Sequence, residues 1–339
     1  MVIMLLLYHM AERISENTAG ESVFNPIDRD FLGESYPEIL KGKNSATRVG
    51  GDEFEKSASI FGFRILFIWI ITVITAIKKG FLGKDLKTNS LWFDGISQIC
   101  RDVKDNAYSW RALEIIYNLP SYLYKKISLD RIALYWNGLE NAKAVRNRLR
   151  LTKEILSREM IRRESQDTIR LLSIASGSAR AVLETLAEID GKHRVSFEFR
   201  LLDLDPTAVN YAHTLAAELG IAKCCKMIVG STTDMKSLLG GYKPDIIEMV
   251  GFLEYRNREK AVNLLKKLKE VLAPGGSIVF SQVKPNREMY FLRYVMNWPM
   301  IYRSEQEFRK ILASSGYYDY ELVSEPVGIH MVCTFRKEG

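Results

Sequence analysis

The sequence predicts an α/β fold: a seven-stranded, mostly parallel sheet with an antiparallel C-terminal hairpin, preceded by a helical N-terminal region. Three observations predict it. From Thr168 onward short β-rich runs alternate with helical ones, the pattern of parallel strands joined by crossover helices. The last two β-rich runs are separated only by Ser324-Glu325-Pro326-Val327-Gly328, so they pair as a hairpin rather than through a crossover. Residues 90 to 165, by contrast, place apolar side chains at helical spacing, as in Ala112-Leu113-Glu114-Ile115-Ile116 and Val145-Arg146-Asn147-Arg148-Leu149, with Pro120 breaking the pattern between them.

Each element has its own signal. Strands are expected near 169–174, 196–202, 226–229, 246–249, 277–283, 320–323 and 330–335, where β-branched and aromatic residues cluster between turn residues. Helices fill 179–189, 206–219, 259–272 and 304–315. Asp205 before Pro206 reads as a helix cap, because an aspartate accepts from the first free N–H groups and proline suits the first helical position. The chain divides into an N-terminal arm (1–89), a basic helical lead-in or lid (90–165) and the α/β domain (166–339). Within the arm, the start Met1 to Tyr8 is apolar but lacks a basic leader and a cleavage site, and residues 11–57 are loop-rich with one short helix.

One run in the arm stands apart. Ile65 to Ile77 is 13 residues of nearly unbroken apolar sequence, flanked by Arg64 and by Lys78-Lys79. A bilayer span needs roughly 20 such residues, so three arrangements suit it: a buried or partner-covered helix, an interfacial membrane segment, or a span.

Composition narrows the function classes. The 339 residues, 47% hydrophobic and 26% charged, exclude a disordered or low-complexity chain. Forty-eight basic against 41 acidic side chains leave +7, and the excess sits in residues 101–165, with 14 basic and 8 acidic. Arg146, Arg148, Arg150, Lys153, Arg158, Arg162 and Arg163 line this stretch; they suit phosphate or an acidic lipid surface, or simply a solvated helix face. Cys100, Cys224, Cys225 and Cys333 form no CxxC pair, and His9, His193, His213 and His330 show no ligand spacing, so no metal site is expected and a reducing, cytoplasmic setting fits.

The chemistry concentrates at strand ends. The first strand runs into Ser173-Ile174-Ala175-Ser176-Gly177-Ser178-Ala179, a loop of small residues feeding a helix, where backbone N–H groups can approach a ligand. Only Gly177 of a G-x-G-x-x-G set is present, which disfavours a dinucleotide. The second strand ends at Asp203, whose carboxylate can take both hydroxyls of a ribose.

With these residues in order, the sequence resembles the class I S-adenosylmethionine-dependent methyltransferases, which are Rossmann-like, over roughly residues 130–339. Ala175-Ser176-Gly177-Ser178-Ala179 stands where that family carries a glycine-rich loop. Leu202-Asp203-Leu204-Asp205-Pro206 matches its acidic end of strand two, and Gly230-Ser231-Thr232 the turn that touches adenine. Pro244-Asp245-Ile246-Ile247-Glu248-Met249-Val250-Gly251 resembles the strand beside the methionine part, and Leu272-Ala273-Pro274-Gly275-Gly276 the turn into strand five. The sequence departs at two places: Ala175 and Ala179 replace loop glycines, and Ser173 stands where an acidic residue is usual. A similarity to a poorly characterised bacterial branch of that family runs through 135–148 and 298–303.

The resemblance implies S-adenosylmethionine held by Ala175, Ser176, Gly177, Asp203, Leu204, Ser231, Thr232 and Gly251. Glu254 and Tyr255, at the exit of the fourth strand, are the candidates to orient or deprotonate an acceptor. Tyr135 and Asn137 on the lead-in helix and Trp298, Tyr302 and Arg303 after strand five are candidates to wall the acceptor pocket. His330 would be a base if it faced the cleft and a structural histidine otherwise. Three functions compete: methyl transfer to a small-molecule or lipid-like acceptor, with 65–77 meeting a membrane surface or partner helix; methyl transfer to RNA through helices in 143–163; and a non-catalytic Rossmann-like module that has lost its cofactor.

Overall fold

The computed structural model describes residues 47–48, 51, 53–57, 63–83, 86–125, 131–189 and 195–339. The apolar start Met1 to Tyr8 and residues 11–46 of the arm lie outside the described residues. Two compact units emerge.

The larger unit comprises residues 146–284 and 302–339 together with the described residues up to Glu55. Its strands are β1 (Thr47–Arg48), β2 (Thr168–Ile174), β3 (Ser196–Asp203), β4 (Cys225–Val229), β5 (Ile246–Met249), β6 (Ser277–Val283), β7 (Tyr320–Ser324) and β8 (His330–Arg336). They stand in the order β1-β7-β8-β6-β5-β2-β3-β4. The pairs β2/β3, β2/β5, β3/β4 and β5/β6 are parallel, and β8 runs antiparallel to both β6 and β7. All seven expected strands are present. The two-residue β1, pairing in parallel with β7, is an addition inside the segment read as loop, too short to carry any alternation in its sequence.

Central strands here are buried on both faces, which is why they read as continuous apolar runs rather than alternating ones. On one face Leu172, Ile174, Ile247, Met249, Ile278 and Phe280 pack with residues of the helices Arg258–Val271 and Glu305–Ser314, among them Leu265, Leu268, Phe308 and Ile311. On the other, Leu171, Phe199, Leu201, Ile246, Val279 and Val332 pack with Leu183, Leu186, Ala212, Leu156 and Met160. Those belong to the helices Arg180–Ile189, Pro206–Glu218 and Glu140–Ile161. The expected cap is in place: the Asp205 carboxylate accepts from Thr207 N at 2.8 Å, with Pro206 as first helical residue. Ser304 and Glu307 form a reciprocal capping box at the start of Glu305–Ser314.

The smaller unit joins residues 56–145 to Pro285–Ile301. Numbered from the N-terminus, its helices are α1 (Phe63–Leu82), α2 (Gln98–Asp105), α3 (Trp110–Lys125) and α4 (Arg131–Asn137), followed by the start of α5 (Glu140–Ile161) and, later in the chain, Met289–Tyr294. A five-residue π-type turn, Leu91–Gly95, precedes α2. Helix α1 outruns the apolar run at its core, continuing through Lys78-Lys79-Gly80 to Leu82. Its inner side buries Ile68, Ile71, Thr72 and Thr75. An aromatic cluster of Phe67, Phe93, Tyr135, Trp136 and Phe291 fills the unit, with Trp136 stacked on Phe291 at 4.8 Å between centroids.

Candidate functional site

Parallel strands deliver their carboxyl ends to one edge of the sheet, and loops leaving that edge form the crevice where such folds take ligands. The loop after β2 is the first component. Ala175, Gly177 and Ala179 all adopt left-handed backbone, with φ of 49°, 54° and 51°. Ala175 and Ala179 therefore follow the path that glycine would take more easily, at a cost of about 1 kcal/mol each. Hydrogen bonds hold the path: Ser176 N donates to Leu202 O at 3.2 Å, and Gly177 N donates to Asp203 Oδ2 at 2.7 Å. The Ser176 hydroxyl is buried and has no partner.

Asp203 closes β3. Its second oxygen, Oδ1, accepts from Asp205 N at 2.9 Å, so the carboxylate is fixed by backbone donors on both sides. Leu204 follows with 71% of its surface exposed, an apolar side chain at a ligand-binding edge. Gly230 N donates to Asp203 O at 2.9 Å, and this bond brings the Ser231-Thr232 turn beside the end of β3.

The third component is β5. Glu248 is the register partner of Ser173 on β2. Its Oε2 accepts from Ser173 Oγ at 2.5 Å, and its Oε1 accepts from Val250 N at 2.9 Å. Burial pushes this carboxyl up to about 7, against the opposing pull of the Ser173 and Val250 hydrogen bonds and the Arg148 charge. Beyond it, Gly251 has φ of 83° and donates to Ser281 Oγ at 3.0 Å. A side chain here would be strained by that φ and would also come within 3.2 Å of the Arg148 guanidinium.

Arg148 belongs to the basic stretch of α5, yet it is buried and pairs with Glu254 at 3.3 Å. Glu254 sits on the short turn Leu253–Tyr255, 1% exposed, and its Oε2 has no hydrogen-bond partner. Burial raises its pKa, with Arg148 opposing. Tyr255 beside it is half-buried. His330 opens β8 opposite Val283; because β8 is antiparallel, its first residue lies at the same carboxyl edge as Gly251. Its Nδ1 is buried without a partner, and burial together with Arg148 and Lys284 lowers its pKa well below the ordinary histidine value. Buried polar atoms are nearly always paired in folded proteins. Ser176 Oγ, Glu254 Oε2 and His330 Nδ1 are unpaired near the carboxyl edge of the sheet.

Of the remaining predicted residues, two serve the chain itself and three belong to the other unit. Tyr302 and Arg303 are fully buried; Arg303 donates to Gln282 Oε1 at 2.7 Å and to the carbonyls of Leu253 and Arg256, so it pins the turn that carries Glu254. Tyr135, Asn137 and Trp298 belong to the smaller unit. Tyr135 lies under the Arg64 guanidinium at 4.7 Å, and Trp298 is buried 6.4 Å from the Tyr108 ring. Glu248 and Arg148 were not assigned from sequence. An acidic residue inside an apolar strand was the available signal for Glu248; Arg148 carried none, since in sequence it reads like the other basic residues of that stretch.

The basic stretch as a whole is largely spoken for. Arg146 and Arg150 pair with Glu55, Lys153 with Glu184 and Glu188, Arg158 with Glu321, and Arg163 with Glu159.

The residues present fit S-adenosylmethionine. Asp203 retains lone pairs for ribose hydroxyls, Leu204 offers an exposed apolar surface for an adenine face, the 175–179 loop keeps backbone and Ser176 Oγ near the ligand, and Gly251 leaves the crevice open beside Arg148. The Arg148 guanidinium beside Gly251 is balanced by Glu254.

No curated protein matches the chain. Among solved structures, a "possible exported protein" from Bordetella parapertussis superposes with a TM-score of 0.58 at 14% identity, covering 84% of this chain and 91% of that one. A magnesium protoporphyrin IX methyltransferase from Synechocystis PCC 6803, with bound S-adenosylhomocysteine, gives 0.46 at 12% identity, covering 66% and 94%. A "putative O-methyltransferase" from Nostoc punctiforme PCC 73102 gives 0.45 at 17%, covering 66% and 68%. A family model described as "Putative methyltransferase" matches residues 125–337. That match spans well over half of the chain, including β2 to β8 and the whole edge just described, and the chain belongs to this methyltransferase family.

Proposed function

We propose that the protein transfers a methyl group from S-adenosylmethionine to a small-molecule or lipid-like acceptor. The observation that carries this reading is the convergence of Asp203, the left-handed 175–179 loop and Gly251 on one sheet edge, beside three buried polar atoms without partners. When bound, the sulfonium supplies an electrophilic methyl group. The chain's own residues then have three tasks. Asp203 and the 175–179 loop fix the nucleoside. Arg148 and Glu254, with Arg303 behind them, set the wall on the β5 side. His330 Nδ1, kept neutral by burial, is an atom able to take a proton from an acceptor hydroxyl or amine; Glu254 Oε2 can do so only as the carboxylate, the form that Arg148 favours against burial. Proximity and orientation supply most of the acceleration in such a displacement.

A lipid-like acceptor is favoured by the exposed apolar side of α1, which places an apolar surface on the same polypeptide. RNA is disfavoured, because most of the cations that would meet phosphate are paired with carboxylates of this chain. The non-catalytic reading loses its motive as well: the loop alanines adopt the left-handed path despite its strain.

The test is incubation of the purified protein with methyl-labelled S-adenosylmethionine and either total lipid extract or a panel of water-soluble phenols and amines. Label entering the lipid fraction, and lost in Glu254→Gln, is the expected result. Label entering only water-soluble acceptors would overturn the lipid assignment. No transfer to any acceptor by protein that binds the donor would overturn the catalytic one.

A further inference from the structure

Helix α1 presents a stripe that none of the described residues of its unit covers. Leu66, Ile70, Ile74, Ile77 and Phe81 recur at intervals of four, four, three and four residues, which places them on one side of the helix, and all are exposed, Ile74 by 60% and Phe81 by 76%. The stripe continues onto the π-type turn, where Leu91 and Trp92 are exposed by 62% and 55%; the Trp92 ring stands 6.4 Å from Phe67 of α1. A contiguous apolar surface of this extent is uncommon on a monomer that meets only water.

This surface is built. The turn that projects Trp92 is held from inside by Asp94, whose carboxylate accepts from Asn89 N and Ser90 N at 2.8 Å each and pairs with Lys104 at 2.7 Å, both side chains buried. Trp136 Nε1 donates to Trp92 O at 2.8 Å and fixes the backbone at the exposed ring itself. Isolated fraying would show none of these buried attachments.

The charge around the stripe identifies the partner. Helix α1 carries Arg64, Lys78 and Lys79 and no carboxylate. Apolar side chains with an exposed tryptophan at their margin, on a helix whose charges are all cationic, are complementary to an anionic lipid interface. Length alone would let Arg64–Leu82 cross a bilayer. Its inner side, however, is committed to protein: Ile68, Ile71, Thr72 and Thr75 are buried, the Trp69 ring lies 6.3 Å from Tyr290, and Lys78 Nζ donates to Thr88 O at 3.0 Å. A helix packed on one side and bare on the other lies in an interface rather than across it.

We propose that the α1 stripe, with Leu91 and Trp92, is a monotopic docking surface for anionic lipid bilayers. The inference stands independently of the cofactor reading and identifies how the enzyme would reach a lipid-like acceptor.

Flotation of the full-length protein with vesicles of phosphatidylcholine and phosphatidylglycerol (70:30) tests it, beside Ile70→Glu/Ile74→Glu and Leu91→Ser/Trp92→Ser variants checked for folding by circular dichroism. The expected result is co-flotation that falls at least tenfold in both variants. Brominated acyl chains should quench tryptophan fluorescence in the wild type more than in Trp92→Phe, and alkaline carbonate should release the protein. Absence of flotation, or flotation unchanged in both variants, would overturn the proposal. So would resistance to carbonate, which would make α1 a span. A dimer in light scattering that both variants dissociate, without vesicle binding, would assign the stripe to a second copy.

Discussion

Ser173 Oγ donates a 2.5 Å hydrogen bond to Glu248 Oε2, between register-matched positions of neighbouring parallel strands. Ser173 stands where the sequence resemblance leads one to expect an acid, and a carboxyl group lies against it from the adjacent strand. Because this carboxyl is buried, its neutral form is favoured in the folded protein.

A pH dependence of stability follows. The Glu248 pKa is raised to about 7, above its unfolded value, so its contribution is fully present below about pH 4.5 and is lost as pH rises through 7. A shift of that size corresponds to about 3 kcal/mol. Urea denaturation of Glu248→Gln at pH 5 and pH 8 checks it: relative to wild type, the variant should be the more stable of the two at pH 8 and should lose that advantage at pH 5.

His330 should remain neutral well into the acidic range, because its pKa lies far below the ordinary value and the unfolded chain takes up a proton first. This group acts in the opposite direction to Glu248, stabilising above about pH 6.5 and costing stability below it. Imidazole resonances followed by NMR should show one histidine that does not titrate between pH 5.5 and 8, and that resonance should vanish in His330→Gln.

Arg148 and Glu254 form a buried pair, and removing one partner leaves a buried charge uncompensated. Arg148→Met should therefore destabilise the fold by about 3 kcal/mol, whereas Arg148→Met/Glu254→Leu should recover much of it. Thermal denaturation of the two single variants and the double variant measures the coupling.

The loop alanines give the reverse expectation. Ala175→Gly and Ala179→Gly relieve left-handed strain, and each should stabilise by up to about 1 kcal/mol, reduced by the greater freedom of glycine in the unfolded chain. Destabilisation by either variant in chemical denaturation would contradict the φ values.

The sheet was legible because its central strands β5 and β6 are buried on both faces and left apolar runs, while β3 left the alternation of Phe197, Phe199 and Leu201. The caps at Asp205 and Ser304 and the turn after Leu272 are equally local. What was illegible is long-range. Arg148 lies among arginines and lysines that look alike in sequence; only the fold distinguishes the one that turns inward to Glu254 from Arg162, which stays exposed. Glu248 was visible as a charge in an apolar strand, but its partner Ser173 is 75 positions away. The Asp94–Lys104 pair that props Trp92 outward depends likewise on a turn with no sequence signature.

The most direct test of the central claim is calorimetric titration of the full-length protein with S-adenosylhomocysteine, beside Asp203→Asn. The account predicts a single site with affinity on the order of micromolar, weakened at least tenfold in the variant while its circular dichroism is unchanged. A folded wild-type protein that takes up no S-adenosylhomocysteine would contradict it.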